Sequence, residues 1–178
     1  MKIHKTILDG CVIIEPEVFF DDRGFFFETY QFKKYHNALG IKENFVQDNY
    51  SRSSKGVLRG LHFQKLKPQG KLIRVVSGEV FDVAVDIRKD SKSYGKWLSV
   101  ILSEENKKQI WVPPGFAHGF VVLSDFADLE YKCTDYYDPS DEGRILWNDP
   151  NINISWPIDN PKLSKLDSSA KNLLYFKK

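Results

Sequence analysis

Alternation with a period of two dominates this chain. In Val80-Phe81-Asp82-Val83-Ala84-Val85-Asp86-Ile87 every odd position is apolar, and the even positions include both aspartates. Successive strand side chains point to opposite faces, so the segment predicts a strand with one buried face. Similar runs predict strands over 72–77, 97–102, 109–112, 119–123 and 128–133. Turn signals separate them at Ser77-Gly78, Ser93-Tyr94-Gly95, Pro113-Pro114-Gly115 and Ser124-Asp125. Strands at this spacing predict an antiparallel sandwich or barrel. One helix stands out: Phe32, Tyr35 and Leu39 fall at i, i+3 and i+7, with Gly40 as the stop. From 149 onward the chain holds three prolines and ends in a helix-like stretch around 167–174. That tail is expected to pack over the strands rather than extend them. No repeat, linker or low-complexity stretch interrupts the 178 residues, which predicts one domain over 1–178.

Composition sharpens this picture. Aromatic residues make up 14%, from 13 Phe, 8 Tyr and 4 Trp, in keeping with a β-rich fold. Lys plus Arg number 26 and Asp plus Glu 24, a net charge of +2. A balance that close provides no field for nucleic acid or acidic membranes. The two cysteines, Cys11 and Cys133, are too few for a disulfide framework or a four-Cys zinc site and read as buried thiols in a reducing compartment. Asp9 precedes any long apolar run, unlike a secretory signal peptide, and no run approaches the ~18 apolar residues that span a bilayer. The expected location is the cytoplasm.

Two segments concentrate chemistry. The first runs Gln47-Asp48-Asn49, Arg52, Lys55 and Leu58-Arg59-Gly60-Leu61-His62-Phe63-Gln64. If 57–64 is a strand, His62 and Gln64 share a face, and Arg59 points the other way unless Gly60 marks a bulge. His62 reads either as a satisfied core histidine or as a general base, which imidazole suits at neutral pH. The second segment is Trp111-Val112-Pro113-Pro114-Gly115-Phe116-Ala117-His118-Gly119-Phe120, a turn ending in a histidine that opens an apolar strand. His118 reads either as a structural turn residue or as a group facing a barrel interior.

The two histidine segments, 56 positions apart, resemble the half-motifs of the cupin superfamily, a jelly-roll barrel. The second fits Pro-x-Gly-x-x-His. The first departs from the metal-binding His-x-His pattern because Gln64 replaces the second histidine, and a carboxamide is a weak ligand for first-row metals. Two histidines and Glu79 make a poor metal site, so no catalytic metal is expected. Proton removal from carbon then needs a donor or cation for the enolate, for which Lys71 and His118 are candidates. Inversion also needs an acid on the opposite face. Tyr131, on the apolar side of strand 128–133 with Leu129 and Cys133, is either that acid or plain core.

Several longer runs resemble the dTDP-4-dehydrorhamnose 3,5-epimerases: Asp22-Arg23-Gly24-Phe25-Phe26-Phe27-Glu28, Val46-Gln47-Asp48-Asn49, Ser54 through Gln64, Gly70 through Val75 and Phe81 through Arg88. Pro113 through Phe120, Tyr131-Lys132-Cys133-Thr134 and Glu142-Gly143 carry the same likeness, which extends from about residue 5 to about 170. The resemblance implies a cofactor-free reaction on a nucleotide-linked 4-keto-6-deoxy sugar, with homodimers and cytoplasmic L-rhamnose synthesis for surface polysaccharide. It implies His62 as the base, with Asp167 of Leu163-Ser164-Lys165-Leu166-Asp167 as its carboxylate partner. It places Lys71 near the O4 oxyanion and makes Tyr131 the opposite-face acid. Arg23, Glu28, Gln47, Asn49, Arg59, His118 and Glu142 match positions that hold the nucleotide sugar, with arginine forks suited to the diphosphate; Asp48 is grouped with them, and Phe26, Tyr136 and Tyr137 are aromatics that offer a face to the base or sugar. The family's lysine just before the aspartate is Leu166 here. The alternatives are an epimerase for C3 or C5 alone, a 3,4-ketoisomerase, a metal-dependent cupin and a sugar-binding module. For the dimer, Val12-Ile13-Ile14 is expected to be a spare edge strand.

Overall fold

The computed structural model describes residues 1–177. In chain order its strands are β1 (Lys2–Lys5), β2 (Val12–Glu15), β3 (Val18–Asp21), β4 (Gly24–Phe27), β5 (Gln47–Ser54), β6 (Leu58–Gln64) and β7 (Lys71–Ser77). There follow β8 (Glu79–Asp86), β9 (Trp97–Ser103), β10 (Gln109–Val112), β11 (Phe116–Val122), β12 (Phe126–Cys133) and β13 (Glu142–Arg144). Helix α1 (Phe32–Leu39) lies between β4 and β5, and the single turn α2 (Lys165–Ser168) lies in the tail. The strands form a six-stranded sheet, β1-β2-β10-β7-β12-β5, a five-stranded sheet, β13-β6-β11-β8-β9, and the separate hairpin β3-β4. All strand pairings are antiparallel. This is the jelly-roll type of barrel that the strand spacing and the half-motifs predict.

The two large sheets enclose one apolar core. Ile73, Val75, Ile110, Val112 and Leu129 from the six-stranded sheet meet Val80, Ala84, Leu102, Phe116 and Phe120 from the five-stranded one. Each sheet is also covered outside. Tyr35 and Ile41, from α1 and the segment after it, pack on Ile14, Leu72 and Trp111. Gly40 closes α1 in the left-handed conformation at φ 65°, where glycine alone escapes a steric penalty. Ile152, Ile154 and Leu173 of the tail pack on Leu61, Phe63, Val83, Val85 and Ala117.

That outer cover corrects the expectation of one buried face on β8. Val83 and Val85 lie beneath the tail, yet Asp82 and Asp86 on the other face are 0% exposed. Apolar burial outside is matched by polar burial inside, which is affordable only because both carboxylates are paired. The 119–123 strand begins earlier, at Phe116, so His118 sits inside β11 rather than at the end of the turn. The 167–174 stretch divides into α2 and a 3-10 turn over Leu173–Lys177. Val12–Glu15 is not a spare edge, because β2 lies between β1 and β10.

Asp86 shows how such a carboxylate is held. It accepts the Arg88 fork at 2.9 and 2.7 Å and the hydroxyls of Ser91 and Ser93 at 2.5 and 2.6 Å. Burial would raise its pKa, but these donors overcome it and bring the group to about 2. A carboxyl depressed on folding contributes stability above its unfolded pKa of about 4 and loses it as pH falls toward the folded value. Asp86→Asn should therefore cost about 2 kcal/mol near neutrality, with the gap to the unsubstituted protein closing between about pH 4 and pH 2. Urea unfolding across that range measures it.

Candidate active site

A β-bulge aims the central residues. Facing β11, Arg59 pairs with Phe120 while His62 pairs with His118. Three positions on β6 thus span two on β11, which puts Arg59 on the face of His62. Gly60 supplies the irregularity with φ +124°, and a Cβ there would lie 2.6 Å from Gly119 Cα. Only glycine permits both that dihedral and that approach.

His62 and Gln64 open into a cavity of about 310 Å³ between the sheets. Lys71 and Tyr131 line it from the facing six-stranded sheet, and Gln47, Asn49, Tyr137 and Glu142 complete its walls. Asp48 is turned away: on β5 it alternates with Gln47 and Asn49, and it pairs outside with Lys132 at 3.0 Å. The two-residue period of the strand thus puts Asp48 on the opposite face from its two neighbours.

His62 Nε2 lies 2.6 Å from Asp167 Oδ1. The tail delivers this carboxylate by running along the free part of β6. Leu58 N donates to Lys162 O, Lys162 N donates to Gly56 O, and Ser164 caps α2 by accepting from Asp167 N at 3.0 Å. Burial would raise the Asp167 pKa, but its hydrogen bond and charge interaction with His62, the Ser164 hydroxyl and the Arg144 charge bring it below the ordinary value. Lys71 moves the opposite way from an exposed amine: burial lowers its pKa, against the pull of Cys133, Glu142 and Asp82. Burial raises Tyr131 to about 12, so its hydroxyl keeps its proton at neutral pH.

His118 faces the interior beside His62, but Asp82 holds its Nε2 at 2.8 Å and it does not line the cavity. Gln64 is no exposed ligand. Its Oε1 accepts from Asp138 N, and its Nε2 donates to Lys67 O and Tyr136 O. It thereby clips together the two loops rimming the cavity. Asp141 steadies one of them by accepting from Leu66 N and Lys67 N. Among the described residues no group of three His, Cys, Asp or Glu side chains could hold a metal ion. Arg59 donates to Ser53 Oγ at 2.9 Å rather than lining the cavity.

Arg23, Phe26 and Glu28 are not at the cavity of their own chain. Arg23 and Phe26 lie on the β3-β4 hairpin, where Arg23 is paired with Asp21. Glu28 follows it and pairs with Lys34 of α1. Sequence reasoning also missed Arg144, the direct strand partner of His62. The only hint was the two-residue spacing from Glu142, too short a strand to read. A second hollow of about 230 Å³ adjoins the Arg74–Glu130 and Lys132–Asp48 ion pairs, without histidine or Lys71.

Comparison with known proteins establishes the family. The family model for dTDP-4-dehydrorhamnose 3,5-epimerase matches residues 5–174. The enzyme of that name from Salmonella typhimurium is 56% identical over 172 residues, 96% of this chain and 94% of the relative. The crystal structure of dTDP-6-deoxy-D-glucose-3,5-epimerase from Legionella pneumophila, in complex with dTDP-4-keto-L-rhamnose, has a TM-score of 0.95 at 56% identity, covering 97% of this chain and 93% of that one. The dTDP-4-dehydrorhamnose 3,5-epimerase of Elizabethkingia anophelis also reaches 0.95, at 48% identity over 100% and 99% of the two chains. With a matching sheet architecture and a match along nearly its whole length, the chain belongs to the dTDP-4-dehydrorhamnose 3,5-epimerase family.

Proposed function

We infer that the protein is a double epimerase, inverting C3 and C5 of dTDP-4-dehydro-6-deoxy-D-glucose to give dTDP-4-dehydro-L-rhamnose for L-rhamnose synthesis. The observation carrying this reading is the opposition of His62–Asp167 on one sheet to Lys71 and Tyr131 on the other. The 4-keto group acidifies the hydrogens on both neighbouring carbons, so no cofactor is required. His62 takes each proton, and the electron pair of the broken C–H bond moves into the enolate at O4. Lys71 stabilises that oxyanion at close range. Tyr131 then delivers a proton to the carbon from the facing sheet, which inverts the centre, and exchange with solvent takes the proton from His62 and returns one to the Tyr131 phenolate before the second carbon reacts. Asp167 fixes the imidazole tautomer and balances the imidazolium that forms.

In this reading Gln47, Asn49, Tyr137 and Glu142 hold the sugar and diphosphate from the cavity walls. The whole chain acts as one catalytic domain, and two buried free thiols suit a reducing cytoplasm. The working form is a homodimer in which the β3-β4 hairpin of one subunit brings Arg23 and Phe26, with Glu28 beyond it, to the other's cavity. In support, Phe20 and Phe26 are 73% and 71% exposed on that hairpin. Exposed aromatic clusters of this kind mark interfaces. Arg59 and His118 support the pocket from beside it.

Proton NMR in heavy water with dTDP-4-dehydro-6-deoxy-D-glucose tests the chemistry. The C3 and C5 hydrogen signals should both disappear as the L-lyxo product forms, and exchange at one carbon alone would make this a single-site epimerase. His62→Ala should lose exchange at both carbons by about 10²-fold or more. Tyr131→Phe should retain exchange while completed inversion falls by about 10²-fold. The dimer has a separate test. Arg23→Ala and His62→Ala, each impaired alone, should regain activity when unfolded and refolded together, because a mixed dimer contains one site with both residues intact. Mixtures no more active than the sum of their parts would exclude the shared site.

A further inference from the structure

An imidazole and a permanent cation converge on one carboxylate oxygen. Asp167 Oδ1 lies 2.6 Å from His62 Nε2 and 3.6 Å from Arg144 Nε. Arg144 stands directly opposite His62 on β13, and the other end of its guanidinium is hydrogen-bonded to Glu142 Oε2. Glu142 Oε2 also accepts the Tyr137 hydroxyl at 3.2 Å. Arg144 Nε is buried and has no hydrogen-bond partner among the described residues, so its near charge partner there is the Asp167 carboxylate. Arg144 does not line the cavity.

A carboxylate bound to imidazole alone favours the protonated ring, which is useless as a base. A second, permanent cation on the same oxygen opposes that protonation through like-charge repulsion, while leaving the hydrogen bond that orients the ring. We propose that Arg144 is a positioning residue that acts through Asp167 to keep His62 free of its proton at neutral pH. The proposal rests on reading His62 as the base. The other titratable or charged groups around His62 are His118 on β11, tied to Asp82 of β8, and Arg59 on its own strand, tied to Ser53. Lys71 and Tyr131 face it from β7 and β12, and Lys165 is an exposed neighbour of Asp167 on α2. Among these, Arg144 and His62 alone approach Asp167 Oδ1 as charge partners.

The test follows the ring signals of His62 by NMR through a pH titration; the chain has four histidines, so His62→Ala assigns them. In Arg144→Met the His62 midpoint should rise by about one pH unit. The acidic limb of kcat/KM should rise with it, giving about a tenfold loss near pH 6 and little change near pH 8. Arg144→Lys, which keeps the charge, should hold the original midpoint. Arg144→Gln, which keeps an amide donor for Glu142, provides a second neutral variant and should match Arg144→Met. A purely structural arginine would lower the rate at every pH and leave the midpoint in place, and that result overturns the proposal. A midpoint that moves in a protein unable to exchange the C3 or C5 hydrogens would overturn the reading of the site while sustaining the coupling.

Discussion

The hydrogen bond between His62 and Asp167 joins positions 105 residues apart, and much of the local architecture is the means of making it. His62 must point inward from β6, which the bulge at Gly60 allows together with an inward Arg59. Asp167 must be brought over the edge of that strand, which the pairing of Lys162 with Gly56 and Leu58 accomplishes. A buried carboxylate without partners would favour protonation or unfolding. Ser164, His62 and Arg144 together make the charged form the stable one. The cost of burial is thus met by the same contacts that orient the imidazole.

Between the sheets the interior divides by chemistry. Most of it is filled by Ile, Val, Leu and Phe, while the end near His62 is polar. Polar groups that support this end are satisfied inside the protein: Asp82 by His118, Gln64 and Asp141 by loop backbone. Lys71 and Tyr131 differ. Neither its ammonium nor its hydroxyl hydrogen-bonds another described residue, and burial pushes both groups toward their neutral forms. An enolate oxygen brought close to Lys71 restores a charge partner to the amine, so the strongest stabilisation comes when negative charge develops.

The parts of this fold that were legible in the sequence are those governed by short-range periodicity. The strands, the stop of α1 at Gly40 and the possible bulge at Gly60 follow from alternation and glycine placement. Motif resemblance supplied His62, Lys71, Tyr131 and Asp167, which the fold brings close across long separations. Two things were hidden for physical reasons, and a third was readable but overlooked. The second buried face of β8 depends on a tail packed from more than sixty residues away, which alternation does not encode. The outward turn of Asp48 was legible in the period but was obscured by grouping it with its neighbours. Arg144 sits on a three-residue strand, and its meaning comes from lying opposite His62 rather than from its own segment.

The parallel seam between the tail and the strand edge beginning at Val57 also ties the chemistry to a contact outside the cavity. Lys162 is held on both sides of its backbone, by Gly56 O and Leu58 N, five residues before the carboxylate that orients the imidazole. Attachment of the tail and orientation of His62 are therefore one property of the molecule: a change that loosens the seam disorders the base while Lys71 and Tyr131 keep their places on the facing sheet.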